Sequence, residues 1–184
     1  VGGGALLFKL QPKSFSINDL NEELISVYNC FQNDSLFSAL KDELFVHERN
    51  HSEKYFYSIR EQDRSELFKT LPMHVRAGRM IYLNKSCFNG LYRVNSKGFY
   101  NVPFGKKTSV NTYEGQNLGI ICGYFNYNDV KMLSVDFEEA VKDAKKGDFI
   151  YFDPPYDSDT SIFNSYTEEG FGKNEQVRLA RVFN

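Results

Sequence analysis

The sequence lacks any apolar run of 18 or more residues, which excludes a membrane-spanning helix. Its start lacks a charged region leading into an apolar stretch and a cleavage site, so secretion has no support and a cytoplasmic protein is expected. Cysteine is scarce: Cys30, Cys87 and Cys122 are few, odd in number and far apart, which fits reduced thiols and not a disulfide framework or zinc site. Three histidines, His47, His51 and His74, have no cysteine or carboxylate at ligand spacing, so no metal is expected. Tryptophan is absent, yet 17 phenylalanines and 12 tyrosines in 184 residues supply ample material for a core.

One absence is local. From Arg76 to Lys107 there is no aspartate or glutamate, while Arg76, Arg79, Lys85, Arg93, Lys97, Lys106 and Lys107 are basic. The net charge of −2 therefore conceals a cationic segment on an otherwise acidic protein, the asymmetry expected where one face meets phosphates. A solvated basic face is the plainer alternative.

Along the chain, Val1-Gly2-Gly3-Gly4-Ala5 resembles a strand-to-helix turn, and Ser16 to Asp19 a short strand ending in an acid. Leu24, Val27, Tyr28 and Phe31 have helical spacing, and further helical patterns cover roughly 35–46, 52–60 and 73–87. Alternation of aromatic and polar residues beside Gly98 predicts a hairpin from Asn95 to Val102. A helix near 113–126, a strand near 131–135, a helix over 137–146, a buried strand Phe149–Phe152 and a helix from about Lys173 complete the pattern. Strands alternating with helices at both ends imply a parallel α/β sheet. We expect an α/β unit formed by 1–33 and 127–184, interrupted by a mainly helical insertion over 34–126.

Three constellations carry chemistry. Glycines in a turn let the backbone approach a ligand, and the next helix offers free N–H groups; helix packing is the bland alternative. Asp19, at the end of the next strand, suits ribose hydroxyls, or equally a helix cap. Asp153-Pro154-Pro155-Tyr156 follows the expected buried strand, where open α/β sheets bind ligands. A carboxylate, a carbonyl fixed by proline and an aromatic face suit an amino group on a flat heterocycle, against the plainer reading of a proline turn. Finally, Tyr82 to Lys107 interleaves basic residues with aromatics, so that Arg can read guanine, Asn adenine, and apolar tips can wedge between base steps. A helix and hairpin merely packing their aromatics is the alternative there.

These blocks in this order resemble the D12 class, the Dam-like N6-adenine DNA methyltransferases, and especially the Dpn/Mbo branch that modifies GATC. The resemblance rests on the glycine motif, Ile17 to Asn21, Asn89 to Gly105, Val135-Asp136-Phe137, Gly147 to Tyr156 and Tyr166 to Phe171. It implies a Rossmann-like, S-adenosylmethionine-dependent fold with a DNA-recognition insertion, encoded by a bacterium or phage. Gly2, Gly3, Gly4 and Ala5 would approach the methionine part of the donor, Asp19 the ribose, and Asp136 with Phe137 its adenine. Asp153 would also border the donor, and with the Pro154 carbonyl would bind the target N6, Pro155 fixing the turn and Tyr156 stacking on the flipped base. Arg93 would be the principal base reader, with Leu91 and Pro103 touching neighbouring pairs and Phe88 and Asn89 near the flipped position. Asn95 and Lys97 belong to the same DNA-binding set, and Lys106 and Lys107 to the phosphates. Double-stranded DNA is the expected partner, with a cognate restriction endonuclease acting on the same site as a further one. The family carries segments before and after those present, so a piece lacking both ends is expected. A catalytically silent DNA-binding fragment and an N6-type methyltransferase of RNA are the rival readings.

Overall fold

The computed structural model describes residues 1–113, 115–154 and 171–183. After the glycine turn, helix α1 (Ala5–Leu10) leads to strand β1 (Ser14–Asn18), and four helices follow: α2 (Glu22–Phe31), α3 (Asp34–Arg49), α4 (Glu53–Arg60) and α5 (Met73–Ser86). Two 3-10 turns, Glu61–Arg64 and Glu66–Thr70, join α4 to α5. An irregular arm then runs to α6 (Gly115–Asn126), β2 (Asp129–Leu133), α7 (Phe137–Val141) and α8 (Lys173–Phe183).

Each of α2, α3 and α4 starts on a side chain that answers its free N–H groups. Asn21 accepts from Glu23 and Leu24, Asn33 from Leu36, and Ser52 from Tyr55. Glu22 and Glu23 in the first turn of α2 add favourable charge at that end.

β1 and β2 pair in parallel, from Ser14 opposite Asp129 to Asn18 opposite Leu133. Around them Ile17, Val27, Tyr28, Phe31, Leu40, Leu44, Ala77, Cys122, Phe125 and Val130 form the larger core. Phe125 of α6 is its hub: it is fully buried and meets the rings of Phe8, Phe15, Tyr28 and Phe31. A second core, of Phe56, Ile59, Tyr82, Leu83, Cys87, Tyr100 and Val102, joins α4 and α5 to the arm. All three cysteines are free and buried. Among the described residues no helix is long and apolar enough to cross a membrane.

The helices expected near 24–31, 35–46, 52–60, 73–87 and 113–126 are all present, as is the parallel sheet. The run Phe149 to Phe152 departs from expectation. It forms no ladder with β1 or β2 and is not a buried strand: Phe149, Ile150 and Tyr151 are 74%, 40% and 60% exposed. An apolar run becomes a buried strand only where a neighbouring strand pairs its backbone and helices cover its faces. The described chain supplies neither at this place; Phe152 instead meets the Phe183 ring at the end of α8. The helix expected over 137–146 stops at Val141, where the exposed residues Lys142 to Lys146 leave no apolar stripe to bury.

Between α3 and α5 the buried His47 ring stacks on Tyr82 with 4.8 Å between centroids. Its Nδ1 lies 2.9 Å from the Tyr55 hydroxyl, and Nε2 has no hydrogen bond, with Glu43 Oε1 at 3.5 Å. Burial first, and the nearby Arg79 charge second, lower its pKa from the ordinary 6.5 to about 4. Between those values the unfolded chain takes up a proton that the folded one refuses, so acid draws the equilibrium toward unfolding. His47 should thus leave stability intact above about pH 6.5 and remove roughly 2–3 kcal/mol as pH falls toward 4. Urea unfolding at pH 7 and pH 4.5 should show a loss that a His47→Gln variant largely lacks.

Candidate DNA interface and glycine turn

The carboxyl ends of the two parallel strands hold the first group of expected site residues. Gly2 and Gly4 have φ of +50° and +70°, in the left-handed region that favours glycine. A Cβ on Gly4 would stand 2.8 Å from the Phe8 ring and 2.9 Å from the Tyr28 hydroxyl. That hydroxyl donates to the Gly2 carbonyl at 2.7 Å, and burial followed by the Asp19 charge pushes its pKa up to about 12. Asp19 ties the turn to β1. Its Oδ2 accepts the Gly2 N–H at 3.1 Å, and its Oδ1 accepts the Asn21 N–H at 3.0 Å.

Asn18 carries the sheet pairing one step past the last ladder residues. Its Nδ2 donates to the Val135 carbonyl at 2.9 Å and its Oδ1 accepts the Val135 N–H at 3.0 Å. The amide therefore fixes the segment that leads to Asp136 and Phe137 beside the end of β1. Asp136 Oδ1 accepts from the Glu138 N–H at 3.0 Å and from Arg178 Nη2 at 2.8 Å. The Arg178 guanidinium lies over the Phe137 ring, 4.8 Å from its centroid. Sequence reasoning missed Asn18 and Arg178. An asparagine ending a β-strand was a signal for the first, whereas nothing local marks the second.

Asp153 and Pro154 are exposed, and no hydrogen bond or ion pair among the described residues joins Asp153 to the glycine turn. Pro155 and Tyr156 lie outside the described residues, as does the block from Tyr166 to Gly170.

The second group is gathered on the arm after α5. Phe88, Asn89, Leu91, Arg93, Lys97, Pro103, Lys106 and Lys107 are all exposed. Asn89 and Gly90 have φ of +54° and +64°, turning the chain away from α5, and Asn84 Nδ2 donates to the Gly90 carbonyl at 2.7 Å. The expected hairpin is present. Val94 bridges Tyr100 in antiparallel fashion, the Asn95 N–H reaches the Phe99 carbonyl at 2.9 Å, and Gly98 closes the turn with φ of +74°. Asn95 is half-buried, and its Oδ1 accepts the N–H groups of Lys97 and Phe99, so it shapes the tip. At the base Cys87 bridges Phe104 and the Gly105 N–H reaches the Ser86 carbonyl at 2.9 Å. Lys107 Nζ donates to the Lys85 carbonyl.

Two of the seven basic residues are engaged inside the protein. Arg76 is bound by Glu23, and Arg79 is buried against Asp63. The segment is acid-free in sequence but not in space. Exposed basic side chains remain at Lys85, Arg93, Lys97, Lys106 and Lys107, beside the apolar Phe88 and Leu91 at 52% and 47% exposure. Positive charge interleaved with exposed apolar tips is a surface fit for phosphates and base steps. Among the described residues no group of three or more His, Cys, Asp or Glu side chains is placed to hold a metal ion.

The model of the D12 class N6 adenine-specific DNA methyltransferase family matches residues 1–184, and the chain belongs to that family. It is 43% identical over 185 residues to the type II methyltransferase M1.LlaDCHI of Lactococcus lactis subsp. cremoris, covering 100% of this chain and 64% of that protein. It is 36% identical to the type II methyltransferase M.MjaIII of Methanocaldococcus jannaschii, over 100% of this chain and 66% of the relative. The DNA adenine methylase of Escherichia coli strain K12 is 30% identical, over 99% of this chain and 64% of its own length. The chain thus spans slightly under two thirds of these relatives.

Gly105 tests how tightly the arm is seated. A Cβ there would fall 2.4 Å from the Cys87 carbonyl oxygen and 2.8 Å from that of Ser86, both rigid backbone. Gly105→Ala should cost about 2–3 kcal/mol of stability in chemical denaturation, in the range of overpacking substitutions.

Proposed function

We propose that the chain belongs to an enzyme that transfers a methyl group from S-adenosylmethionine to N6 of adenine in duplex DNA, within GATC. The observation that carries this reading is the exposed arm of basic and apolar residues from Lys85 to Lys107 on a chain of the adenine methyltransferase family. Relatives named as DNA adenine methylases and type II methyltransferases support it, and the latter name supports a restriction endonuclease as partner. GATC rests on resemblance to the Dpn/Mbo branch alone. The domain division follows the same reading: 1–33 and 127–184 form a Rossmann-like catalytic unit and 34–126 the recognition insertion.

The glycine turn fits the donor. Gly2 and Gly3 face open space where a Cβ would stand, so a ligand can approach their backbone, and Asp19 stays partly exposed beside them. S-adenosylmethionine, when bound, supplies an electrophilic methyl on a sulfonium sulfur. Gly2 to Ala5 would take its methionine end, Asp19 would accept from its ribose, and Asp136 with Phe137 would border its adenine.

In the arm, Arg93 would present its fork to guanine, with Leu91 and Pro103 against neighbouring pairs and Lys106 and Lys107 on phosphates. Phe88 and Asn89 would fill the space left by a flipped adenine. Asp153 and the Pro154 carbonyl would accept the two N6 hydrogens, turning the nitrogen lone pair out of the ring toward the methyl group, while Tyr156 stacks on the base. Positioning would then supply much of the acceleration.

Asp153→Ala in the full chain should abolish N6-methyladenine formation, read by sequencing of DNA from expressing cells, while duplex affinity falls by less than about threefold. Methylation equal to wild type would sink this role for Asp153. Arg93→Ala should relax discrimination at one base pair by about 1–3 kcal/mol in competition binding.

A further inference from the structure

Asp63 lies on the 3-10 turn after α4, with its side chain 10% exposed. Its Oδ2 accepts the Tyr100 N–H at 2.8 Å and pairs with Arg79 Nη2 at 2.8 Å. Its Oδ1 meets the Arg64 guanidinium, and Arg64 Nη2 donates to the Tyr100 carbonyl at 2.9 Å. Both backbone polar groups of one buried hairpin residue are therefore held by side chains from outside the hairpin. Arg79 fixes the anchor in turn: its Nε donates to the Ile59 carbonyl at 3.0 Å and its Nη2 to that of Arg60 at 2.9 Å.

From Tyr100 the linkage runs outward. The Asn101 N–H donates to the Arg93 carbonyl at 3.0 Å, and Asn101 Oδ1 accepts from Arg93 Nε at 2.7 Å. The Tyr100 hydroxyl donates to the Leu91 carbonyl at 3.0 Å. A hairpin this short does not hold a fixed pose by itself, and an arginine fork discriminates bases only when its placement is fixed. We propose that Asp63 is a positioning residue for sequence recognition: through Tyr100 and Asn101 it sets the pose of the hairpin and so where Arg93 meets a base edge. The inference rests on the reading of Arg93 as the base-contacting side chain.

The test uses the full chain and competition binding to a GATC duplex and to duplexes substituted at each position of that site. Because Asp63→Ala alone would strand a buried Arg79, two charge-free pairs are compared. Asp63→Asn with Arg79→Met keeps an acceptor for the Tyr100 N–H; Asp63→Ala with Arg79→Met removes it. The first pair should discriminate within about twofold of wild type, and the second should lose about tenfold at the pair that Arg93 reads, with little change in affinity for unrelated DNA. Adding Arg93→Ala to the second pair should cost no further discrimination, because the effects act through one side chain. Equal discrimination by the two pairs, or an equal loss for all duplexes, overturns the role of Asp63. If Arg93→Ala alone leaves every penalty unchanged, the base-reading assignment fails first, and that result is distinct from a failure confined to Asp63.

Discussion

Parallel pairing of Ser14–Asn18 with Asp129–Leu133 is the constraint on which the remaining architecture depends. It joins segments more than a hundred residues apart, and the entropy of closing so long a loop grows only slowly with its length. The chain can therefore carry five helices and an arm between two adjacent strands at modest extra cost. Phe15, Ile17, Val130 and Met132 offset that cost by packing under α2 and α6, with Phe125 touching rings from α1, β1 and α2. Because the strands run the same way, their carboxyl ends open at one edge. The Asn18 side chain extends that edge by two hydrogen bonds, so Asp19 and Asp136 come from distant sequence to neighbouring loops.

The hairpin arm obeys a different logic. It owes little to ladder hydrogen bonds and much to close approach and to clamps supplied by helices. Gly105 lets the returning strand press on the Cys87 carbonyl, His51 Nε2 reaches the Lys107 carbonyl at 3.0 Å, and Glu48 Oε1 accepts from Thr112 and Tyr113 where the arm rejoins the larger core.

Helices α2 to α5 were legible in the sequence because apolar spacing is a local signal; the caps at Asn21, Asn33 and Ser52 were seen only in the structure. The hairpin was legible for the same reason, since Asn95 and Gly98 shape the turn within five residues. Phe149 to Phe152 was not, because whether an apolar run is buried depends on strands and helices that local pattern does not contain. The glycine turn and Asp19 were found as separate features. That the acid holds the turn by the Gly2 N–H follows only from the fold. Pro155 and Tyr156, which complete the most specific tetrapeptide, lie outside the described residues.

The basic segment shows most clearly where linear reading stops. Arg76, Arg79 and Arg93 look alike in a stretch without acids, but Glu23 on α2 and Asp63 after α4 remove the first two from the surface set. For Arg79 this burial is poor value as stability, since dehydrating a guanidinium and a carboxylate consumes most of their attraction. What the pair supplies is selectivity among conformations: a displaced Tyr100 would leave a buried carboxylate and a buried N–H short of partners, a penalty an apolar contact would not impose. Among the described residues Arg93 pairs with no acid and is steadied by the neutral Asn101, which orients the guanidinium without cancelling its charge. The buried Arg79 and the exposed Arg93 are thus linked through Asp63, Tyr100 and Asn101, so the packing of the first and the placement of the second are not independent.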